Sequence, residues 1–427
     1  MRAKFNIVFI TNTFPFGKGE TFIENEVPFL SAHFETIYFI PLKDRKNTFD
    51  LAQRSLPGNC KVIVPEKKQI IDITRPSFAN IPELIFLLFL VAMQEFKTLK
   101  TGLLFLRPKN FIVTLIRLNR AIEYEKVLKK IFEEEEIKNF LVYSYWVDSW
   151  LPGLIRLRKK INLKFKIVSR IHRGDLYQEA ASSGYQPYRK YLWKHLDYLY
   201  PISGMGYEYL LLAYPELKNK MKTEYLGVKN HQQLSPYKKQ ATITIVSCSV
   251  LIPVKRVHLI IESLMLMPET QPVKWIHMGY GELEDDLKRM AHQLPEHIQY
   301  SFRGYVPNAE VMKFYLANQV DLFVNVSESE GLPVSIIEAI SAGIPVIATN
   351  VGGVSEALTN DFGYLLDKDF TPSALAGIIQ HHAGFPEEHI KEIRKKAQAF
   401  FMEHFDAENN YNRFMTQLKE RYEDTKN

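Results

Sequence analysis

Cysteine is nearly absent from this 427-residue sequence: it has Cys60 and Cys248 and no others. They stand far apart and lack metal-type spacing, which excludes a disulfide framework and points to a reducing compartment. Long apolar runs are also scarce. The strongest, 81–93, reads Ile-Pro-Glu-Leu-Ile-Phe-Leu-Leu-Phe-Leu-Val-Ala-Met, and its uninterrupted part from Leu84 to Met93 has ten residues. A bilayer span needs about 20. The opening Met-Arg-Ala-Lys-Phe-Asn-Ile-Val-Phe-Ile enters an expected strand with no secretory h-region or cleavage site before it, so a cytoplasmic location is expected. Neither His-x-His nor Glu-x-x-His occurs, and no metal ligand and no cofactor is expected. There is no internal repeat, no low-complexity tract and no recognisable nucleic-acid module, so nucleic acid is not an expected partner.

What is present suits two domains of ordinary composition, with 46% apolar residues. Charge is divided unevenly. Residues 1–240 hold 38 Lys+Arg and 23 Asp+Glu, a balance of +15, and the rest hold 16 and 25, a balance of −9; together they give the net +6. A basic half suggests an anionic partner. An anionic membrane surface and a lipid-linked acceptor both fit, and a merely solubilising charge stays open. Residues 81–106 combine apolar runs with Lys97, Lys100 and, just beyond, Arg107 and Lys109. That mix suits either a core helix or a helix lying on the inner face of the cytoplasmic membrane.

Apolar runs recur at strand length. In the first half they fall at 5–11, 37–40, 61–64, 140–143, 166–171 and 198–202, and in the second at 242–247, 273–278, 298–302, 322–326, 346–348 and 364–366. Helical segments separate them, which is the βαβ pattern of parallel sheets. The polar stretch 228–240 is expected to be the linker. Thr21-Phe-Ile-Glu24 reads as a capping box opening the first helix. Residues 386–421 are helical in composition, and Glu133–Glu136 reads as a solvated face.

The most informative stretch is 327–356, Ser-Glu-Ser-Glu-Gly-Leu-Pro-Val-Ser-Ile-Ile-Glu-Ala-Ile-Ser-Ala-Gly-Ile-Pro-Val-Ile-Ala-Thr-Asn-Val-Gly-Gly-Val-Ser-Glu. Glu330 ends a strand segment, a Gly331-Leu332-Pro333 turn follows, and Val334 opens a helix carrying Glu338. Ligands of open α/β sheets bind at the carboxyl ends of strands. Carboxylates there accept hydrogen bonds from diols, and helix-start N–H groups suit phosphate. A nucleotide sugar carries both. An ordinary turn with two solvated glutamates is the bland alternative.

The Glu-x7-Glu spacing, with Glu-Gly-Leu-Pro at its start and Glu-Ala-Ile-Ser-Ala-Gly-Ile-Pro-Val-Ile-Ala-Thr after it, closely resembles the family 4 retaining glycosyltransferases, also called glycosyl transferases group 1. Gly352-Gly353-x-x-Glu356 fits as well, and the match runs over about residues 240–370. The resemblance implies an α/β protein of GT-B architecture, with two Rossmann-like domains whose parallel sheets face an interdomain cleft. It assigns 1–230 to an acceptor-binding domain, 241–400 to a nucleotide-sugar-binding domain and 401–427 to a terminal helix crossing back to the first. It also implies metal-independent transfer of a hexosyl-type group from a UDP- or GDP-linked donor, with retention, to a glycan or lipid-linked acceptor in bacterial polysaccharide synthesis. Glu338 would then hold the ribose, and Glu330 with the Gly331–Val334 backbone the donor sugar.

Other motifs extend this assignment. Val250-Leu-Ile-Pro-Val-Lys255-Arg256 follows a strand, where cations can clamp a diphosphate. The family's loop has Arg, then Lys five residues on, then Gly; here Lys255 fits, Val250 replaces the Arg and Arg256 the Gly. Arg256 supplies the missing guanidinium, or else Lys255 works alone. His172-Arg173-Gly174-Asp175 partly resembles the family's loop facing the donor sugar, with His172 expected to be catalytic beside Lys255 and Glu330. Arg173, Asp175 and Trp146 are expected on the acceptor side, with core packing an equal reading for Tyr145-Trp146. Gly17 and Gly19 in the first βα turn, and Gly281 and Tyr305 at later strand ends, would line the donor. Two rival functions stay open: a nucleotide-sugar epimerase, and a non-catalytic nucleotide-sugar-binding subunit.

Overall fold

The computed structural model describes residues 5–44, 47–74, 77–97, 99–161, 164–181 and 183–423, without the side chains of Asp72, Thr74, Leu99, Lys100 and Thr101. The opening Met1–Lys4 and the Lys100 side chain, both used above, lie outside these residues. The chain divides into two compact units. The first comprises Met1–Ile202, Gly206–Glu224 and Tyr411–Asn427, and the second Ser203–Met205 and Tyr225–Asn410.

In the first unit six strands form one parallel sheet: β1 (Asn6–Thr11), β2 (Ile37–Pro41), β3 (Cys60–Val62), β4 (Phe140–Ser144), β5 (Ile167–Ile171) and β6 (Tyr198–Pro201). Their order is β3-β2-β1-β4-β5-β6. Ile7, Val8, Phe9 and Ile10 of β1 and all of β4 are buried. Continuous apolar runs of this kind belong to parallel strands covered on both faces.

The second unit repeats the plan with β7 (Ile243–Cys248), β8 (Val273–Met278), β9 (Ile298–Phe302), β10 (Leu322–Asn325), β11 (Val346–Thr349) and β12 (Gly363–Leu366), ordered β12-β11-β10-β7-β8-β9. In each sheet the direction of strand succession reverses between the first and fourth strands. That switch point opens a crevice at the carboxyl ends, where such folds bind ligands.

Two helical readings change. The Thr21–Glu24 capping box does not form: Thr21–Asn25 is a 3-10 turn with no side-chain cap, Glu24 pairs with Arg54 at 3.1 Å, and the α-helix starts at Val27. The C-terminal helical stretch is two helices, Glu387–His404 and Ala407–Glu423, parted at Phe405–Asp406, where Glu408 N–H donates to Asp406 Oδ1 at 2.8 Å. The second of these completes the first unit's core. Phe414 stacks edge-on against Tyr143 (5.5 Å) and Tyr200 (5.1 Å), and Tyr422 lies flat on Phe5 at 3.8 Å. The Arg170 guanidinium sits 4.0 Å over the Phe414 ring while its Nε donates to Tyr143 Oη, which donates to Glu26. Arg170 and Glu26 are fully buried, 3.6 Å apart. Breaking such a buried pair from one side costs about 3–5 kcal/mol.

Candidate active site

The second unit's switch point lies between β7 and β10, and the loops after these two strands bring Lys255 and Glu330 together. Lys255 Nζ donates to Glu330 Oε1 at 2.6 Å, and Asn325 Nδ2 donates to the same oxygen at 3.3 Å. Asn325 is fixed in turn, because its Oδ1 accepts the Ser327 N–H at 3.1 Å. The β7 loop is tied to the β10 loop by Glu328 N–H, which donates to the Val254 carbonyl at 2.8 Å. Ser249, Lys255, Asn325 and Ser327 line a small recess beside the pair. A lysine ammonium has three N–H bonds, and the Glu330 contact takes one.

Behind Glu330, the Gly331-Leu332-Pro333 turn leads into the helix Val334–Ser341. The first N–H groups of a helix have no acceptor within it, so those of Val334 and Ser335 are available at the helix's positive end. The turn is held from below by the loop after β11. Gly353 N–H donates to the Gly331 carbonyl at 2.8 Å, and Gly352 has φ +53 with its Cα against Glu330. A Cβ on Gly352 would sit 1.9 Å from the Glu330 carbonyl oxygen, so only glycine allows this approach. Glu356 ends the same loop; its carboxylate accepts from the Gly204 and Met205 N–H groups (2.6 and 2.8 Å) and the Tyr225 hydroxyl (2.6 Å).

Glu338 is buried, with 6% of its surface exposed. Asn308 Nδ2 donates to its Oε1 at 2.5 Å. Burial pushes its carboxyl up to about 7, partly offset by the Asn308 bond. Cys248 lies in the same surroundings; burial, with the Glu338 charge adding to it, pushes its thiol up to about 12. The structure therefore keeps a proton-hungry carboxylate where neighbouring hydroxyl donors would stabilise its charged form.

Arg256, the candidate to supply the guanidinium missing at Val250, is bonded to backbone carbonyls. Its Nε and Nη1 donate to the Val326 and Lys368 carbonyls, each at 2.8 Å, and its guanidinium lies 5.6 Å over the Phe370 ring. Burial lowers its pKa. Its φ is +48, the left-handed conformation that favours the glycine the family places here. Val250 is half exposed. Tyr305 meets Tyr280 edge-on at 5.9 Å, both partly exposed after β9 and β8. Gly281 is a packing position, since a Cβ there would lie 2.3 Å from the Leu251 carbonyl oxygen.

In the first unit, His172 and Trp146 meet at 4.4 Å between ring centres, with Tyr145 at 4.7 Å from His172. His172 is buried, and neither ring nitrogen has a hydrogen-bond partner among the described residues. Burial, with Arg170 adding to it, holds its pKa well below the ordinary value, so the ring is neutral. Tyr145 belongs to the core. Asp175 has a role within the fold: its carboxylate accepts the Val147 and His172 N–H groups, each at 2.6 Å, which fixes the loop, and burial raises it to about 7. Arg173 opens the short helix Arg173–Leu176 and is partly buried. Gly17 and Gly19 present their carbonyls to Arg54 Nη2 at 2.7 and 2.8 Å.

The residue that organises this loop, Glu20, was missed in the sequence. Its carboxylate accepts the N–H groups of Asn12 (3.0 Å), Thr13 (2.7 Å) and Phe14 (2.8 Å) and the Trp146 indole (2.5 Å). Asn325 and Asn308, which orient the two glutamates, were missed too. Among the described residues no group of three His, Cys, Asp or Glu side chains could hold a metal ion.

Two parallel six-stranded sheets with these strand-end loops define the GT-B class of α/β proteins, and solved structures agree on the fold. A HepE structure from Anabaena, in complex with UDP and glucose, aligns with TM-score 0.66 and 16% identity over 97% of this chain and 99% of that one. Sucrose-phosphate synthase from Thermosynechococcus elongatus aligns with TM-score 0.69 and 14% identity over 98% and 99%. Residues 228–400 match the family model Glycosyl transferases group 1. TuaC of Bacillus subtilis (strain 168), a putative teichuronic acid biosynthesis glycosyltransferase, is 35% identical over 144 residues, 33% of each chain. WcaL of Escherichia coli (strain K12), a putative colanic acid biosynthesis glycosyltransferase, is 25% identical over 253 residues, 57% of this chain and 61% of that one. The chain thus spans about a third of TuaC and three fifths of WcaL.

Proposed function

We propose that the protein is a glycosyltransferase that moves a sugar from a nucleotide-sugar donor to an acceptor hydroxyl in the synthesis of a polysaccharide or lipid-linked glycan. The observation that carries the reading is the Lys255–Glu330 pair at the switch point of the second sheet, seated beside the start of the helix that bears Glu338. The named relatives favour transfer over epimerisation.

In this reading the nucleotide ribose donates its hydroxyls to Glu338, which becomes a carboxylate on binding. The donor sugar's hydroxyls meet Glu330 and the Gly331–Val334 backbone. The exposed Tyr280–Tyr305 pair receives the base. As the bond between the anomeric carbon and the diphosphate oxygen breaks, the electron pair leaves with the nucleoside diphosphate. Lys255 and the helix N–H groups stabilise that charge. The acceptor oxygen forms the new bond on the same face, its proton passing to the departing phosphate, so the anomeric configuration is retained. His172, neutral and with both nitrogens unpartnered, Trp146 and Arg173 are the acceptor-recognising groups of the first unit. Family 4 membership, a UDP- or GDP-linked hexose and chemistry that needs no divalent ion belong to the same proposal.

The test is a thermal-shift panel of UDP- and GDP-sugars against wild type and Lys255→Ala. A donor at about 100 times its Kd stabilises by about 2.7 kcal/mol. One donor whose shift falls to about half or less in the variant supports the reading, and equal shifts in both refute the site.

A further inference from the structure

The first unit carries an apolar surface that the donor site does not use. The helix Ile81–Glu95 is buried along one stripe, where Leu87 and Val91 reach the core. Along the opposite stripe Ile81, Ile85, Phe89 and Met93 are 46–63% exposed at intervals of four residues, with Phe86 beside them at 60%. Two further helices extend this surface, Leu99–Leu106 with Leu103 and Leu106 exposed, and Pro108–Glu134 with Ile112 and Ile116 exposed. Ring contacts Phe96–Phe105 (6.0 Å) and Phe105–Phe111 (5.6 Å) lock the three helices into one body. Exposed apolar patches of this extent mark interaction surfaces.

Charge identifies the occupant. Between residues 84 and 122 the only acidic residue is Glu95, which is buried, against six basic residues: Lys97, Lys100, Arg107, Lys109, Arg117 and Arg120. Lys97, Arg107 and Arg120 are exposed. A second copy docking here about a two-fold axis would set these cations against their own equivalents. An anionic bilayer instead accepts apolar side chains into its acyl boundary while its headgroups meet the cations.

We infer that this three-helix face docks the protein on an anionic membrane surface, with Ile85, Phe86, Phe89 and Met93 dipping into the lipid and Lys97, Arg107 and Arg120 at the headgroups. It is a docking face and not a span. The window Phe78–Glu95 is long and apolar enough by composition to cross a membrane, but its Leu87–Val91 stripe is part of the folded core. This inference does not depend on the transferase reading.

The experiment is flotation of the full chain with vesicles of phosphatidylcholine alone and with roughly one-third phosphatidylglycerol added. Wild type should float with the anionic vesicles, less as salt is raised, and weakly with the neutral ones. Phe86→Ser/Phe89→Ser and, separately, Lys97→Glu/Arg107→Glu should each weaken partitioning at least about tenfold. Unchanged melting temperature and unchanged donor-induced thermal shift would show that fold and donor site are intact, keeping this test separate from the transferase reading. Three results would overturn the inference: wild type failing to float, the serine variant floating like wild type, or a wild-type dimer that the serine substitutions convert to monomer without any vesicle binding.

Discussion

Glu338→Gln separates the cost of a buried carboxylate from its use. In the free protein this group is displaced from 4.5 to about 7 by burial. A raised acid stabilises the native state fully below its unfolded value and loses that contribution as pH rises through the folded value. Converted at 1.36 kcal/mol per tenfold change in proton affinity, the ionised group costs up to about 3 kcal/mol above pH 7. Glutamine carries no charge and keeps the Asn308 bond, since the amide oxygen can accept from Nδ2. The variant should therefore be more stable than wild type by under about 1 kcal/mol at about pH 5 and by about 3 kcal/mol at about pH 8. For a unit of this size that is a rise in Tm of about 6–12 °C at the higher pH. Nucleotide-sugar affinity should move the other way, falling about 10–100-fold as charge-assisted bonds to the ribose are lost. Scanning calorimetry at the two pH values, followed by donor titration, checks both. A Tm difference that does not change between them would refute the assignment of a proton-hungry carboxyl at Glu338.

Three further outcomes follow from the same geometry. Lys255→Ala should weaken donor binding at least about tenfold by removing a charge-assisted contact, whereas Arg256→Gly, which removes a left-handed arginine already bonded to backbone carbonyls, should change it less than about threefold; isothermal titration of both decides, and equal losses would return Arg256 to the diphosphate. Glu20→Ala strips the acceptor from three backbone N–H groups and the Trp146 indole and should cost about 1–3 kcal/mol in urea unfolding, with indole fluorescence altered; an unchanged midpoint would refute its organising role. His172→Phe fills the same apolar pocket and should keep the melting temperature within a few degrees while transfer falls at least about 100-fold in a product assay, consistent with the loss of a polar group that nothing in the fold requires.

The sequence made the sheets legible because a parallel strand covered on both faces must be written as an unbroken apolar run. Phe9, Val142, Val168, Ile245 and Phe323 sit in such runs, and each is buried. Glu330 and Glu338 were legible because a turn and a short helix fix their spacing locally. The residues that aim them were not. Asn308 reaches Glu338 across 30 positions and Glu20 reaches Trp146 across 126; no local pattern encodes such partners, since only the closed sheet brings them together. Arg256 shows the opposite limit. Its charge suggested a ligand, but its backbone conformation and two carbonyl partners give it work within the fold. Thr21 and Glu24 matched a capping box that lost to competing contacts with Arg54 and the Glu20 turn.

The part of the chain that closes the first unit is made after the second unit. Phe414, beneath the Arg170 guanidinium, and Tyr422, against Phe5, come from residues beyond 410. Residues 225–410 form the intervening unit. On a ribosome the N-terminal sheet must therefore wait, with part of its core uncovered, while the whole second unit is synthesised. A fragment ending at residue 224 would keep that exposed apolar seam permanently, so expression of the first unit alone would require the segment 411–427 to be supplied in trans or fused to it.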